Sequence, residues 1–143
     1  MIGGGLDLVV AIPACNEEAL LPRCISAIER QTGLADVTVG ILVLANNCTD
    51  RTVSVCHALA ASSPLPIQCD AIDLPGDRAH AGWARRLAME AAAAMARPGG
   101  ILVSTDADSY ADPDWLAGHL AELAAPVEAV AGRVSGEDRK SVV

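Results

Sequence analysis

The sequence has no phenylalanine, one tyrosine and two tryptophans, so any core it builds must be aliphatic, made of Ala, Leu, Val and Ile. Small side chains of this kind let helices lie close against a sheet. Basic residues are also scarce: ten Lys and Arg stand against eighteen Asp and Glu, for a net charge of −8. That balance excludes a nucleic acid partner, because a phosphate backbone calls for a clustered basic surface. It does not exclude a single nucleotide, whose charge a metal and backbone N–H groups can neutralise locally. No segment approaches the ~18 uninterrupted apolar residues of a membrane span. The start, Met1-Ile2-Gly3-Gly4-Gly5, lacks the basic residues and long apolar run of a signal peptide. The expectation is a cytoplasmic protein, with peripheral attachment to the membrane left open. The five cysteines are odd in number and contain no Cys-x-x-Cys pair, which predicts free, reduced, mostly buried thiols.

What the sequence does contain is a repeated alternation of strand and helix, the pattern of a parallel sheet covered on both faces. Leu6 to Ile12 is an apolar run broken only by Asp7 and ended by Pro13. Glu17 to Gln31 carries Leu20, Leu21, Cys24, Ile25 and Ile28 at helical spacing, with acids in its first turn and Gly33 past its end. Val37 to Leu44 is a second strand, and Asp50 caps a helix that Ser62-Ser63-Pro64 breaks. Ile67 to Leu74 is a third strand, followed by a turn at Pro75-Gly76-Asp77. Ala79 to Ala96 is the longest helix, stopped by Pro98-Gly99-Gly100. Ile101 to Thr105 is a fourth strand running straight into Asp106. Asp112-Pro113 opens a helix to about Ala124. Val127 to Val134 reads as a fifth strand, and residues 135–143 as a polar tail with no clear element. The chain thus divides into one domain over residues 1–134 and a tail over 135–143.

Ligands of an open parallel sheet bind at the carboxyl ends of its strands. The polar, non-periodic residues gather there: Pro13, Asn16 and Glu17 after strand one, Asn46, Asn47, Thr49 and Asp50 after strand two, Asp106 and Asp108 after strand four. In extended chain, residues i and i+2 point the same way, so Asp106 and Asp108 can address one ion. Hard cations such as Mn2+ or Mg2+ take carboxylate and phosphate oxygens together. A solvated acidic loop is the plain alternative. Trp83 and Trp115 read as packing anchors, and His80, just before Gly82, is the histidine to watch. Gly3-Gly4-Gly5 precedes a strand and so forms no dinucleotide fingerprint.

Taken together, the motifs resemble the family 2 glycosyltransferases of the GT-A fold. The likeness is carried by Val9-Val10-Ala11-Ile12-Pro13-Ala14-Cys15-Asn16-Glu17-Glu18, by Leu42-Val43-Leu44-Ala45-Asn46-Asn47-Cys48-Thr49-Asp50-Arg51-Thr52, by Gly82-Trp83-Ala84-Arg85 and by Val103-Ser104-Thr105-Asp106-Ala107-Asp108, in the family's order. The resemblance implies an α/β, GT-A (Rossmann-like), mostly parallel sheet with helices on both faces. It also implies transfer of a sugar from a UDP- or GDP-sugar to an acceptor hydroxyl, with a divalent metal and inversion. Pro13, Asn16 and Glu17 would then shape the wall beside base and ribose, Asn46 would meet the base, and Arg85 would lie near the diphosphate or brace the metal loop. Asp106 would touch ribose or metal, and Asp108 would be the principal metal ligand.

Two departures bear on that expectation. Where the family carries paired acids after strand two, this chain has Ala45-Asn46, which leaves the base open. The acceptor-binding half, which normally supplies the catalytic base, does not follow; Glu137-Asp138 is similar to the acidic pair that carries it, but reads as exposed tail. The alternative is a catalytically incomplete module that binds a nucleotide or a partner protein. Sugar, acceptor and catalytic base are not specified by the sequence.

Overall fold

A computed structural model describes residues 3–123, 134–136 and 140–142. Its main sheet has four parallel strands in the order β3-β2-β1-β4: β1 (Leu6–Ala14), β2 (Val39–Asn46), β3 (Ile67–Ile72) and β4 (Ala96–Ser104). Strand-to-strand crossovers in a parallel sheet are right-handed. The chain therefore steps outward through α1 (Leu21–Glu29) and α2 (Thr52–Ser62) on one face. It then returns through α3 (Ala81–Met95) on the other face to lay β4 against the far side of β1. The order reverses between β1 and β4, which is where an open α/β sheet leaves its ligand crevice.

Period-two alternation sorts the core residues to the two faces. Leu8, Val10, Ile12 and Ala14 of β1, with Ile41 and Val43 of β2, pack under α1 and α2. Val9, Ala11, Leu42 and Leu44 face the other way, onto Ala88, Ala92 and Met95 of α3. The expected aliphatic core is thus observed, as are the parallel sheet and the helices on both of its faces. Beyond the sheet, β5 (Tyr110–Ala111) leads into α4 (Trp115–Leu123), whose Trp115 and Leu116 are buried in the cluster beneath α1. Trp115 is the packing anchor that the sequence suggested.

Several expected boundaries moved, each for a local reason. β1 continues through Pro13 to Ala14. Ala11 accepts from the N–H of Thr105 on the β4 side, so the alternation turns the Pro13 nitrogen to that side too, just past the end of β4 where no ladder bond is lost. The first helix begins at Leu21 rather than Glu17. Pro22 has no N–H to give and its ring belongs in a first turn, so Glu17 and Glu18 stand in the turn before the helix. Pro98-Gly99-Gly100 does not precede the fourth strand but lies inside it: β4 starts at Ala96, and its register against β1 shifts between Leu6 and Leu8. The extra residues form a bulge, with Gly99 at φ 77°.

The cysteines need a larger correction. Cys56 and Cys69 form a disulfide, leaving Cys15, Cys24 and Cys48 as thiols. The pair joins a fully buried position on α2 to β3, brought together by the packing of that helix on its own strand. The tail is corrected too. β6 (Val134–Gly136) and β7 (Lys140–Val142) join β5 in a small sheet of order β5-β7-β6, so residues expected to lack structure gain it from a partner thirty residues away. The expected strand at 127–134 lies outside the described residues apart from Val134, and Glu137 and Asp138 lie outside them altogether. No helix among the described residues is long and apolar enough to cross a membrane.

Candidate functional site

Three loops leave the carboxyl ends of β1, β2 and β3, and two asparagines tie them together. Asn16, at φ 53°, uses its Oδ1 to accept the N–H groups of Thr49 (2.8 Å) and Asp50 (3.2 Å). Asn47, at φ 52°, donates from its amide to Leu74 O (3.0 Å) and accepts from Leu74 N–H (3.2 Å). Asn is among the few residues that take this left-handed conformation readily. The α2 end is closed by Thr52, whose Oγ1 accepts the N–H of Glu17 at 2.8 Å and donates to Asp50 Oδ1 at 2.5 Å. The Thr52 hydroxyl, more than any other neighbour, holds the Asp50 carboxyl below its usual range. The Glu18 N–H bonds Asp50 Oδ2 at 3.2 Å, which completes the seam between the first two loops.

The fourth loop follows β4. Asp106-Ala107-Asp108 is not extended, as the two-residue spacing argument required, but turned: Ser109 N–H donates to Asp106 O at 3.0 Å, and Ala107 faces inward, 2% exposed. The turn rests on α1, where the buried Cys24 thiol lies 3.5 Å from the same carbonyl. Burial, followed by the charges of Asp106 and Asp108, pushes that thiol up to about 12, so Cys24 stays a neutral packing group. The way out of the turn is fixed by Gln31, which donates to Asp112 O at 2.6 Å and accepts the N–H of Leu116 at 2.8 Å, giving a first-turn donor of α4 its partner.

Between these loops and the start of α3 lies an open cavity of about 470 Å³, lined by Pro13, Cys15, Glu17, Asn46, Asp106, Ala107, Asp108 and, from the α3 side, Ala79, His80, Ala81, Ala84 and Arg85. Both aspartates border it despite the turn. Arg85 reaches across from α3, bonding Asp106 Oδ1 through Nη2 and Ser104 Oγ at 2.5 Å through Nη1. Of the residues expected at the site, Pro13, Glu17, Asn46, Arg85, Asp106 and Asp108 come together here. Asn16 does not line the cavity; its side chain is spent on the neighbouring loop. Sequence reasoning missed Cys15 and the alanines of the α3 wall, which carry no chemical signal beyond being small. His80 caps α3, its Nδ1 accepting the Trp83 N–H at 3.4 Å. Cys15 is exposed at the rim, and partial desolvation followed by Cys48, Glu17 and Asp50 raises its thiol above the ordinary value, away from nucleophilic use.

Among the described residues no three His, Cys, Asp or Glu side chains gather into a metal cage. Two hard carboxylates on one cavity wall nonetheless suit a small divalent cation, which commonly takes one or two carboxylates and completes its shell with water and substrate phosphate. The donor set fits a cation that is shared with a ligand, not one held by protein alone.

The profile of Glycosyl transferase family 2 matches residues 9–142. The chain belongs to that family. No curated protein matches it. Among solved structures, residues 1–349 of S. aureus TarS superpose with a TM-score of 0.65 at 18% identity, over 83% of this chain and 32% of that one. The same TarS region in complex with UDP-GlcNAc gives 0.64 at 18% identity, over 83% and 31%. In complex with UDP it gives 0.62 at 16%, over 83% and 32%. These likenesses show the fold, and the chain spans about a third of the TarS region it matches. Within the family 2 fold, the cavity sits at the crevice between β1 and β4, where the strand order reverses.

Proposed function

We propose that this chain is the donor-binding half of a glycosyltransferase. It would take a nucleoside-diphosphate sugar, with UDP or GDP as the nucleotide, and transfer the sugar to an acceptor hydroxyl by in-line displacement with inversion at the anomeric carbon. The observation that carries the reading is the convergence of Asn46, Arg85 and the Asp106–Asp108 pair, from three separate segments, on one cavity at the switch point of a family 2 sheet. The TarS neighbours, whose complexes hold UDP-GlcNAc and UDP, support the same ligand class.

Each residue has a chemical part in this reading. Pro13 and Glu17 wall the base and ribose side. The Asn46 amide can both donate to and accept from a base edge, so it does not by itself select uracil or guanine. Arg85 presents a planar guanidinium to the diphosphate, and Asp106 and Asp108 would hold Mn2+ or Mg2+. When bound, such a cation neutralises the departing diphosphate. Asn16 acts indirectly, by fixing the loop that carries Thr49 and Asp50. The acceptor, its base and a cytoplasmic, peripheral or other location belong to the whole protein.

The test is a thermal melt with UDP or GDP and Mn2+. Ligand at about 100 times its Kd adds roughly 2.7 kcal/mol, and each kcal/mol is worth roughly 2–4 °C for a domain near this size. Asp108→Ala should remove the metal-dependent part of the shift. No metal-dependent shift with any nucleoside diphosphate would overturn the proposal. A binding module without turnover is the second reading, and nucleotide binding without sugar hydrolysis or transfer is its signature.

A further inference from the structure

We propose that Arg85 is an exchangeable internal counter-ion: it occupies Asp106 in the nucleotide-free protein and releases that carboxylate to the divalent cation when a diphosphate arrives to take the guanidinium. The inference rests on the metal and nucleotide reading given above. Arg85 is fixed at two points, the Ser104 hydroxyl and Asp106 Oδ1, so the guanidinium already holds one of the two oxygens that Asp106 could offer a cation. Two positive charges on one carboxylate oxygen repel. The cation and Arg85 therefore compete for Asp106.

Two further features make the exchange easy in one direction and difficult in the other. The pair is solvent-accessible, with side chains 40% and 51% exposed, and exposed pairs contribute little, so it opens readily. The described residues offer no third metal-ligating side chain beside Asp106 and Asp108, so the cation needs phosphate oxygens to complete its shell. A diphosphate meets both needs, supplying oxygens to the cation and a fork-shaped partner to the arginine. Cation and nucleotide should then strengthen each other's binding by the same factor, as linkage requires.

The experiment measures Mn2+ binding by the electron paramagnetic resonance signal of the free ion, with and without saturating UDP. In the unaltered protein, UDP should tighten Mn2+ by about tenfold or more. Arg85→Met should tighten nucleotide-free Mn2+ binding by about threefold, the loss of one exposed competing pair, and should shrink the UDP effect. Unchanged or weaker nucleotide-free Mn2+ binding in Arg85→Met, with UDP-promoted binding still present, overturns the exchange and leaves the metal reading standing. No Mn2+ binding in either protein, even with UDP or GDP, overturns both. If Arg85→Met does not fold, Ser104→Ala, which frees one prong of the guanidinium, should move nucleotide-free Mn2+ binding in the same direction, and no change there also overturns the exchange.

Discussion

Asn16 and Thr49 lie on different loops, yet the Asn16 side-chain oxygen accepts the Thr49 N–H at 2.8 Å and fixes the separation of the first two walls of the cavity. The residue does this from a left-handed backbone, φ 53°. Its side chain and its backbone can therefore be tested apart. Asn16→Gly keeps the conformation and loses the hydrogen bonds, which should cost about 1 kcal/mol. Asn16→Ala loses the bonds and keeps a Cβ in left-handed geometry without asparagine's local compensation, so it should be about 1–2 kcal/mol less stable than the glycine variant. Denaturant melts of the two variants check this, and equal destabilisation would show that the backbone conformation relaxes.

Gln31, just past α1, ties that helix's last turn to the first turn of α4: its amide donates to Ala27 O and Asp112 O and accepts the Leu116 N–H. Gln31→Ala leaves a helix donor without its partner in a half-buried place, which should cost about 1–3 kcal/mol. Because α4 follows the Asp106–Asp108 turn, the variant should also weaken UDP-dependent Mn2+ binding. Lost stability with metal binding intact would restrict Gln31 to holding the helices together.

The Cys56–Cys69 bond closes a loop with a sequence separation of 13. Thiol titration of the unreduced, denatured protein should find three thiols, Cys15, Cys24 and Cys48, and five after reduction. Reduction should lower stability by roughly 3 kcal/mol, the chain-entropy value for a loop of this size. Five thiols in protein purified without reductant would mean that the pair stays reduced, the state a cytoplasmic setting favours.

At the opposite edge of the sheet, Asp7 accepts from the N–H and hydroxyl of Thr38 and pairs with Arg97 at 2.6 Å, joining β1 to the entry of β2 and to β4. The Thr38 N–H, with Arg97 next, lowers its carboxyl from 3.8 to about 2. The folded value lies below the unfolded one, so the stabilisation is present above about pH 4 and is lost as the pH falls toward 2. Melts of Asp7→Asn should be less stable than the parent at pH 6, and the difference should narrow toward pH 2. A gap that does not change with pH would remove the ionic part of this account.

Much of the fold was written locally. The apolar runs of β1 and β2 name their own strands, and the four-residue spacing of Ala84, Ala88 and Ala92 marks the face that α3 buries. The boundary errors came from competing local signals: Pro22 overruled the acids at Glu17 and Glu18, and Pro98-Gly99-Gly100 was absorbed as a bulge instead of ending an element. The cavity residues were legible because each follows a buried strand, and a parallel sheet brings all its strand ends to one edge. Their bonding was not legible.

By itself, then, the sequence determined the strand–helix order, the aliphatic core and the loops from which the cavity is built, because hydrophobic period and turn chemistry act over a few neighbouring residues. Only the tertiary structure decided that Arg85 pairs with Asp106, that Asn16 serves a neighbouring loop and not the cavity, and that Cys56 joins Cys69. Those partners lie 21, 33 and 13 residues apart. A hydrogen bond, ion pair or disulfide across such separations is set by how elements pack, and it leaves no periodic trace in either segment.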